Sequence, residues 1–181
     1  MQYAILEARE QRWRLKQELA RRFGACVCSL CLNIPGPDKN PPGAEQAFAL
    51  LQAALRRAHA RAVTRTLRNA CCAAIMHEIT GQGADGSYWL MASPLPGFTL
   101  KHMAVRLERE HPLGRLADID VLTHTCEPVS RADLDVPPRA CFLCGEPAAF
   151  CRRKQHHPQE TLMAFIGAML QSVSPRWDTD A

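Results

Sequence analysis

The chain has 181 residues, 47% hydrophobic and 22% charged, the balance of a soluble globular protein long enough to bury a core. Its formal charge of +4 is spread along the chain and aromatics make up only 6%, which excludes the dense basic stripe of a duplex-DNA binder and the stacking platforms of a single-strand binder. Nine cysteines, an N-terminus without the apolar core of a signal peptide and no run long enough to span a bilayer predict a cytoplasmic protein with reduced thiols rather than a disulfide framework.

Residues 5–23 read as a helix, with Leu6, Trp13, Leu19, Ala20 and Phe23 on one side and charges on the other. Residues 26–34 alternate, so Cys26, Cys28, Leu30, Leu32 and Ile34 share an apolar strand face while Cys31 points the other way. Pro35-Gly36-Pro37-Asp38 breaks that strand, and Pro41-Pro42-Gly43 prolongs the loop. A second helix covers residues 44–62, with Ala47, Phe48, Leu51, Ala54 and Leu55 opposite Arg56, Arg57 and Arg61. Residues 71–80 and 87–93 predict two strands joined by a turn at Ala84-Asp85-Gly86. A helix over 98–110 ends before His111-Pro112, because a residue preceding proline resists helical geometry. Asp118 to Thr123 reads as a short buried strand. A loop, a cysteine-rich segment (139–157) and a last helix (158–172) burying Leu162, Phe165, Ile166, Met169, Leu170 and Val173 complete the chain. The expectation is a single α+β domain with a mixed sheet and flanking helices over residues 1–181.

Several familiar motifs fail on context. Gly81-Gln82-Gly83-Ala84-Asp85-Gly86 matches G-x-G-x-x-G, but Ser87-Tyr88-Trp89-Leu90 follows, which continues as a strand and not as the helix that a dinucleotide site requires. His77-Glu78 begins like a zinc-protease helix, yet Gly81 stands where the second histidine belongs. Cys26, Cys28 and Cys31 fit core packing better than a metal, as does Cys71-Cys72.

The stretch His111-Pro112-Leu113-Gly114-Arg115-Leu116-Ala117-Asp118-Ile119-Asp120 carries the chemistry. On a strand, Asp118 and Asp120 project side by side while Ile119 and Val121 face the core. Two adjacent carboxylates repel unless a proton or a cation intervenes. A hard divalent ion such as Mg²⁺, shared with phosphate oxygens, answers that need. Gly114 permits close backbone approach, and Arg115 can pair with a phosphate in a forked geometry. A glycine followed by D-x-D resembles nucleotidyltransferase active sites; two solvated aspartates on a surface strand are the alternative.

The surrounding letters are more specific. "EHPLGRLADIDVL" (Glu110 to Leu122) and "SRADLDVPPRACFLCGEPAAFCRRKQHH" (Ser130 to His157) strongly resemble the apo-citrate lyase phosphoribosyl-dephospho-CoA transferases, with the densest likeness over residues 105–165. The resemblance implies transfer of a phosphoribosyl-dephospho-CoA group from 2′-(5″-triphosphoribosyl)-3′-dephospho-CoA to a serine of the citrate lyase acyl carrier protein, with release of pyrophosphate. It implies Asp118 and Asp120 as holders of Mg²⁺, Arg115 as a phosphate contact, Gly114 at the backbone approach, and His111 as either acceptor of the serine proton or cap of its turn. Lys39 and Arg131 are weaker candidates for binding the anionic donor or the carrier. A related transferase for another carrier, such as that of malonate decarboxylase, suits the D-x-D strand equally; the flanking "HPLGRL" and the cysteine segment favour citrate lyase. A non-catalytic, zinc-stabilised binding module is a further reading.

Cys141-x2-Cys144-x6-Cys151, with His157, offers four tetrahedral zinc ligands. His157, rather than His156, matches the family pattern. Buried thiols that steady a proline-rich turn, or a pocket for the dephospho-CoA moiety, are the other expectations. A zinc held by four protein ligands has no open position and would brace the fold.

Overall fold

The computed structural model describes residues 2–66 and 75–173. Their elements run α1 (Gln2–Phe23), β1 (Cys26–Leu32), α2 (Ala44–Thr66), β2 (His77–Gly83), β3 (Gly86–Ser93), α3 (Gly97–Glu110), a 3-10 turn (Gly114–Leu116), β4 (Ala117–Leu122), β5 (Pro128–Val129), a second 3-10 turn (Ala132–Leu134), α4 (Ala148–Lys154) and α5 (Gln159–Gln171).

The α+β expectation holds, but the sheet is not mixed. Its five strands, ordered β2-β3-β1-β4-β5, pair antiparallel throughout. The helix α3 does connect two strands that run the same way, β3 and β4, as a crossover would. Those strands are separated by β1, which hydrogen-bonds antiparallel to both, so no parallel ladder forms.

Alternation divides the sheet into two faces. Cys26, Cys28, Leu30, Trp89, Met91, Ile119 and Val121 enter the main core with Phe48, Leu51 and Leu55 of α2, Leu100 and Ala104 of α3, and Ile166 and Leu170 of α5. On the opposite face, Val27, Leu90 and Leu122 pack under Leu19 and Ala20 of α1. Both faces of β1 are therefore covered, including that of Cys31. The strand stops at Leu32, two residues short of the predicted end, although Asn33 still donates its N–H to the Leu116 carbonyl at 2.7 Å and Ile34 stays buried.

The β2–β3 hairpin turns on Ala84-Asp85, with Gly83 opposite Gly86. Gly86 has φ +99°, a left-handed conformation that glycine adopts without strain. Residues 71–74 of the strand predicted upstream, with Cys71 and Cys72, lie outside the described residues. In α5 only Ile166 and Leu170 are fully buried, and Phe165 is exposed. α1 also departs from expectation: Leu6 and Trp13 are exposed, and the inner stripe runs through Ile5, Lys16, Leu19 and Ala20. Sheet contact is confined to that narrower stripe, so the two large side chains on its flank stay in water. The short elements β5 and α4 lie in stretches that the sequence suggested were loop and cysteine-rich segment.

Candidate active site

β4 presents its two carboxylates as the period of a strand requires. Asp118 stands opposite Cys31 and Asp120 opposite Ser29 on β1, while Ile119 and Val121 point into the core. The preceding turn is fixed by packing. A Cβ on Gly114 would lie 2.7 Å from the Glu108 carbonyl oxygen and closer still to that of Leu107, so only glycine lets the turn nest on the end of α3.

α1 crosses the same sheet face, and its inner stripe supplies cations. Lys16, buried, donates from Nζ to Asp120 Oδ2 at 3.1 Å. One turn earlier Arg12 pairs with the buried carboxylate of Asp85 from the β2–β3 turn. These groups line a cavity of about 1010 Å³ together with Arg9, Lys39 and Arg139. Burial, then the nearby charge of Arg9, lowers the Lys39 pKa, against an opposing pull from Asp85. The Lys39 ammonium donates to the Ile34 carbonyl.

Asp118 is open to water over 54% of its side chain but sits on the floor of this cavity among crowding protein atoms. That desolvation raises its pKa; Asp120 adds to the rise, and Arg139, whose Nη1 is 3.6 Å from Asp118 Oδ1, opposes it. Cys31, beneath the carboxylates, is pushed up to about 12 by burial and is an inert thiol.

The remaining residues singled out in the sequence lie beside this cavity. Gly114, Arg115 and Arg131 line a smaller one of about 360 Å³ that shares Asn33, Arg139 and Phe142 with the first. Arg131 and Arg139 both bind the buried Glu108, and Arg139 also donates to the Ala117 carbonyl at the start of β4. Arg115 donates to the Cys141 carbonyl at 2.5 Å and rests over the Phe142 ring. His111 lines neither cavity. Its Nδ1 accepts the Leu113 N–H at 3.0 Å, which closes the turn, and burial followed by the Arg57 charge lowers its pKa.

The cysteine segment folds as a knuckle. Cys141 and Cys144 flank a tight loop closed by the Cys141 N–H to the Glu146 carbonyl, Cys151 projects from α4, and His157 follows that helix. The ligand atoms of Cys141, Cys144, Cys151 and His157 all lie within 4.8 Å of one another. Cys144 Sγ is 3.5 Å from Cys151 Sγ and 3.3 Å from His157 Nε2. Burial resists ionisation of Cys141, yet the N–H groups of Leu143 and Cys144 and the neighbouring thiols outweigh it and lower its pKa. Three thiols and an imidazole at this separation could hold a metal such as zinc. Cys141, Cys151 and His157 also line the large cavity, so the knuckle forms one of its walls.

The sequence reading missed Lys16, Arg12, Arg139 and Asp85. A signal existed for two of them: Arg12 and Lys16 share helical spacing with Ile5, Leu19 and Phe23, so two cations interrupt an apolar stripe. Arg139 was marked only by its fit to the family pattern before Cys141, without a role, and nothing local marked Asp85.

Paired carboxylates beneath a rim of ammonium and guanidinium groups suit group transfer on a polyanion, and similarity to known proteins points to a transferase. The family model of apo-citrate lyase phosphoribosyl-dephospho-CoA transferase matches residues 2–173. A Streptococcus pyogenes serotype M18 (strain MGAS8232) protein named "Probable apo-citrate lyase phosphoribosyl-dephospho-CoA transferase" is 33% identical over 172 residues, 93% of this chain and 84% of that protein. Apo-citrate lyase phosphoribosyl-dephospho-CoA transferases of Escherichia coli O139:H28 (strain E24377A / ETEC) and Shigella boydii serotype 18 (strain CDC 3083-94 / BS512) are each 31% identical over 169 residues, 93% of this chain and 87% of theirs. The chain belongs to the apo-citrate lyase phosphoribosyl-dephospho-CoA transferase family. None of its described helices is long and apolar enough to cross a membrane.

Proposed function

We propose that this chain joins phosphoribosyl-dephospho-CoA to a serine of the citrate lyase acyl carrier protein, using 2′-(5″-triphosphoribosyl)-3′-dephospho-CoA as donor. The observation that carries the reading is the carboxylate pair Asp118–Asp120 on the floor of a cation-lined cavity, with the buried Lys16 bonded to Asp120. In the reaction the serine oxygen bonds to the α-phosphorus of the donor, the α–β anhydride bond breaks, and pyrophosphate departs with the electron pair.

The two carboxylates suit a hard divalent cation: both are oxygen donors, share one strand face and are half open to the cavity. Mg²⁺ held there would neutralise charge on the triphosphate and on the leaving group. Lys16, Arg12 and Lys39 bind the remaining phosphate oxygens, and Arg139 keeps Asp118 oriented. Phosphoryl transfer needs little covalent help from the protein, so the serine proton leaves late, to water in the open cavity. His111 acts by holding the turn that aims β4, since its ring is not on the cavity wall. The Cys141–Cys144–Cys151–His157 set fits structural zinc, being soft, tetrahedral in number and complete. A nucleotidyltransferase-like ancestry is consistent with the D-x-D strand.

The test is the intact mass of apo acyl carrier protein after incubation with this protein, Mg²⁺ and the donor. The expected gain is the donor minus pyrophosphate, abolished by Asp118→Asn. An unmodified carrier beside intact donor and folded protein overturns the assignment.

A further inference from the structure

The smaller cavity has a charge that its own residues do not balance. Arg109, Arg115, Arg131 and Arg139 line it, and Glu108 is the one carboxylate on its wall. Four guanidinium charges against one carboxylate leave +3 on the wall, and Asp118, 3.6 Å from Arg139 on the neighbouring cavity, reduces this to +2. Glu108 is buried and already engaged by Arg131 and Arg139. Arg115 donates to the Cys141 carbonyl and covers Phe142, and it has no acidic partner among the described residues. Arg109, in the last turn of α3, has no ion pair among the described residues. Arg131 and Arg139 are half-buried and Arg109 and Arg115 are exposed at the rim, and like charges gathered around one concave space repel one another unless an anion joins them. Arginine is the side chain whose planar fork matches phosphate oxygens.

We propose that this cavity is a second anion site and that its ligand is a diphosphate group. A volume of about 360 Å³ exceeds what a lone phosphate needs, and the wall shared with the carboxylate cavity puts any anion here next to the reacting end of a donor. The choice of diphosphate rests on the transfer reading above, which offers two sources. One is the internal diphosphate of the dephospho-CoA moiety, and the other is the pyrophosphate that leaves.

Calorimetric titration of inorganic pyrophosphate and of dephospho-CoA into wild type, Arg109→Ala and Arg115→Ala decides between them, with thermal melts to confirm folding. Loss of a charge-assisted contact should weaken the true ligand about tenfold. Weakened pyrophosphate with unchanged dephospho-CoA assigns the cavity to the leaving group. The reverse assigns it to the donor's internal linkage. Affinities for both that match wild type in Arg109→Ala and in folded Arg115→Ala overturn the proposal; should Arg115→Ala melt early, Arg109→Ala alone decides. The carrier mass assay is scored separately, so arginine-dependent pyrophosphate binding with an unmodified carrier keeps the cavity and discards the citrate lyase reading.

Discussion

Lys16 and Asp120, 104 residues apart in sequence, meet at 3.1 Å between Nζ and Oδ2, joining the first helix to the carboxylate strand. The ammonium is buried to 6% exposure while the carboxylate is 61% exposed, so the cation is the fixed partner and Asp120 the one free to turn toward a ligand. Replacing a buried ammonium by an apolar side chain of similar length removes its desolvation penalty along with its ion pair and is close to neutral for stability; a preorganised cation beside transferring phosphate contributes much more to rate. Lys16→Met should therefore fold with a melting temperature close to wild type and lose roughly 10²-fold in kcat/KM. Equal loss of activity and of folded protein would reduce Lys16 to a packing residue.

Asp118→Asn should separate stability from activity. Crowding by the cavity floor, with the Asp120 charge behind it, raises the folded-state pKa of Asp118 above its ordinary value of 3.8. Below that ordinary value the carboxyl is protonated in both folded and unfolded chains and costs nothing. As pH rises through the raised folded pKa, ionisation takes place at a penalty present only in the fold. In metal-free buffer at pH 7 the asparagine variant should melt above wild type, and the gap should close as pH falls to the usual aspartate range. Added Mg²⁺ should raise the wild-type melting temperature and leave the variant unmoved. Differential scanning at several pH values reads all of these outcomes.

How much of this was legible follows from where each signal lies. Asp118 and Asp120 were visible because strand period is local: two positions apart means one face, whatever the sheet does. The turn at Ala84-Asp85-Gly86 was visible because a glycine at positive φ leaves a compositional mark. Strand direction was not, because it depends on β1 inserting between β3 and β4, a non-local event that no single segment encodes. Lys16 and Arg12 were barely legible, because charges on a helix ordinarily face water and the exposed Leu6 and Trp13 broaden the apolar stripe beyond the buried Leu19 and Ala20. Arg115 was legible as a phosphate-type residue but not its address, because the wall of proline and arginine at 138–139 that separates the two cavities comes from a later loop.

Acid sensitivity should trace to His59. Its ring is fully buried, Nε2 lies 2.7 Å from Ser93 Oγ, and burial lowers its pKa from 6.5 to about 4. The unfolded chain takes up a proton near pH 6.5 that the fold rejects, so stability declines as pH drops from there toward 4. The full shift corresponds to about 3 kcal/mol. Urea titrations of wild type and His59→Gln at pH 7.5 and 4.5 should show a smaller acid-induced loss in the variant. Equal losses would exclude His59 as the group responsible.

Gly114→Ala places a methyl group 2.7 Å from the Glu108 carbonyl oxygen and nearer still to that of Leu107. Backbone atoms cannot rotate away as a side chain would, so the turn must lift from α3. The expected cost is roughly 2–3 kcal/mol, read as a lower urea midpoint. Because the same turn carries Arg115 and launches β4, kcat/KM should fall further than the stability loss accounts for under conditions where the variant is fully folded. A variant with wild-type stability would show that the turn has room this geometry denies.

Removal of the candidate metal ligands should affect the cavity as well as the knuckle. Cys141, Cys151 and His157 line the large cavity, and the Cys141 carbonyl anchors Arg115 in the smaller one, so the two cavities share a support. Elemental analysis of purified protein should find one zinc per chain, and Cys144→Ser should lose it, since Cys144 Sγ lies within 3.5 Å of both Cys151 Sγ and His157 Nε2. A loss of ~2–3 kcal/mol in a chain of this size lowers the melting temperature by roughly 5–10 °C. If the zinc only braces the knuckle, donor affinity should fall with it while the bond-forming rate of saturated enzyme changes little, because four protein ligands leave no position for substrate. A variant that keeps its donor affinity but loses that rate would instead put the metal in the chemistry, and a wild-type protein free of zinc would return the three thiols to a packing role.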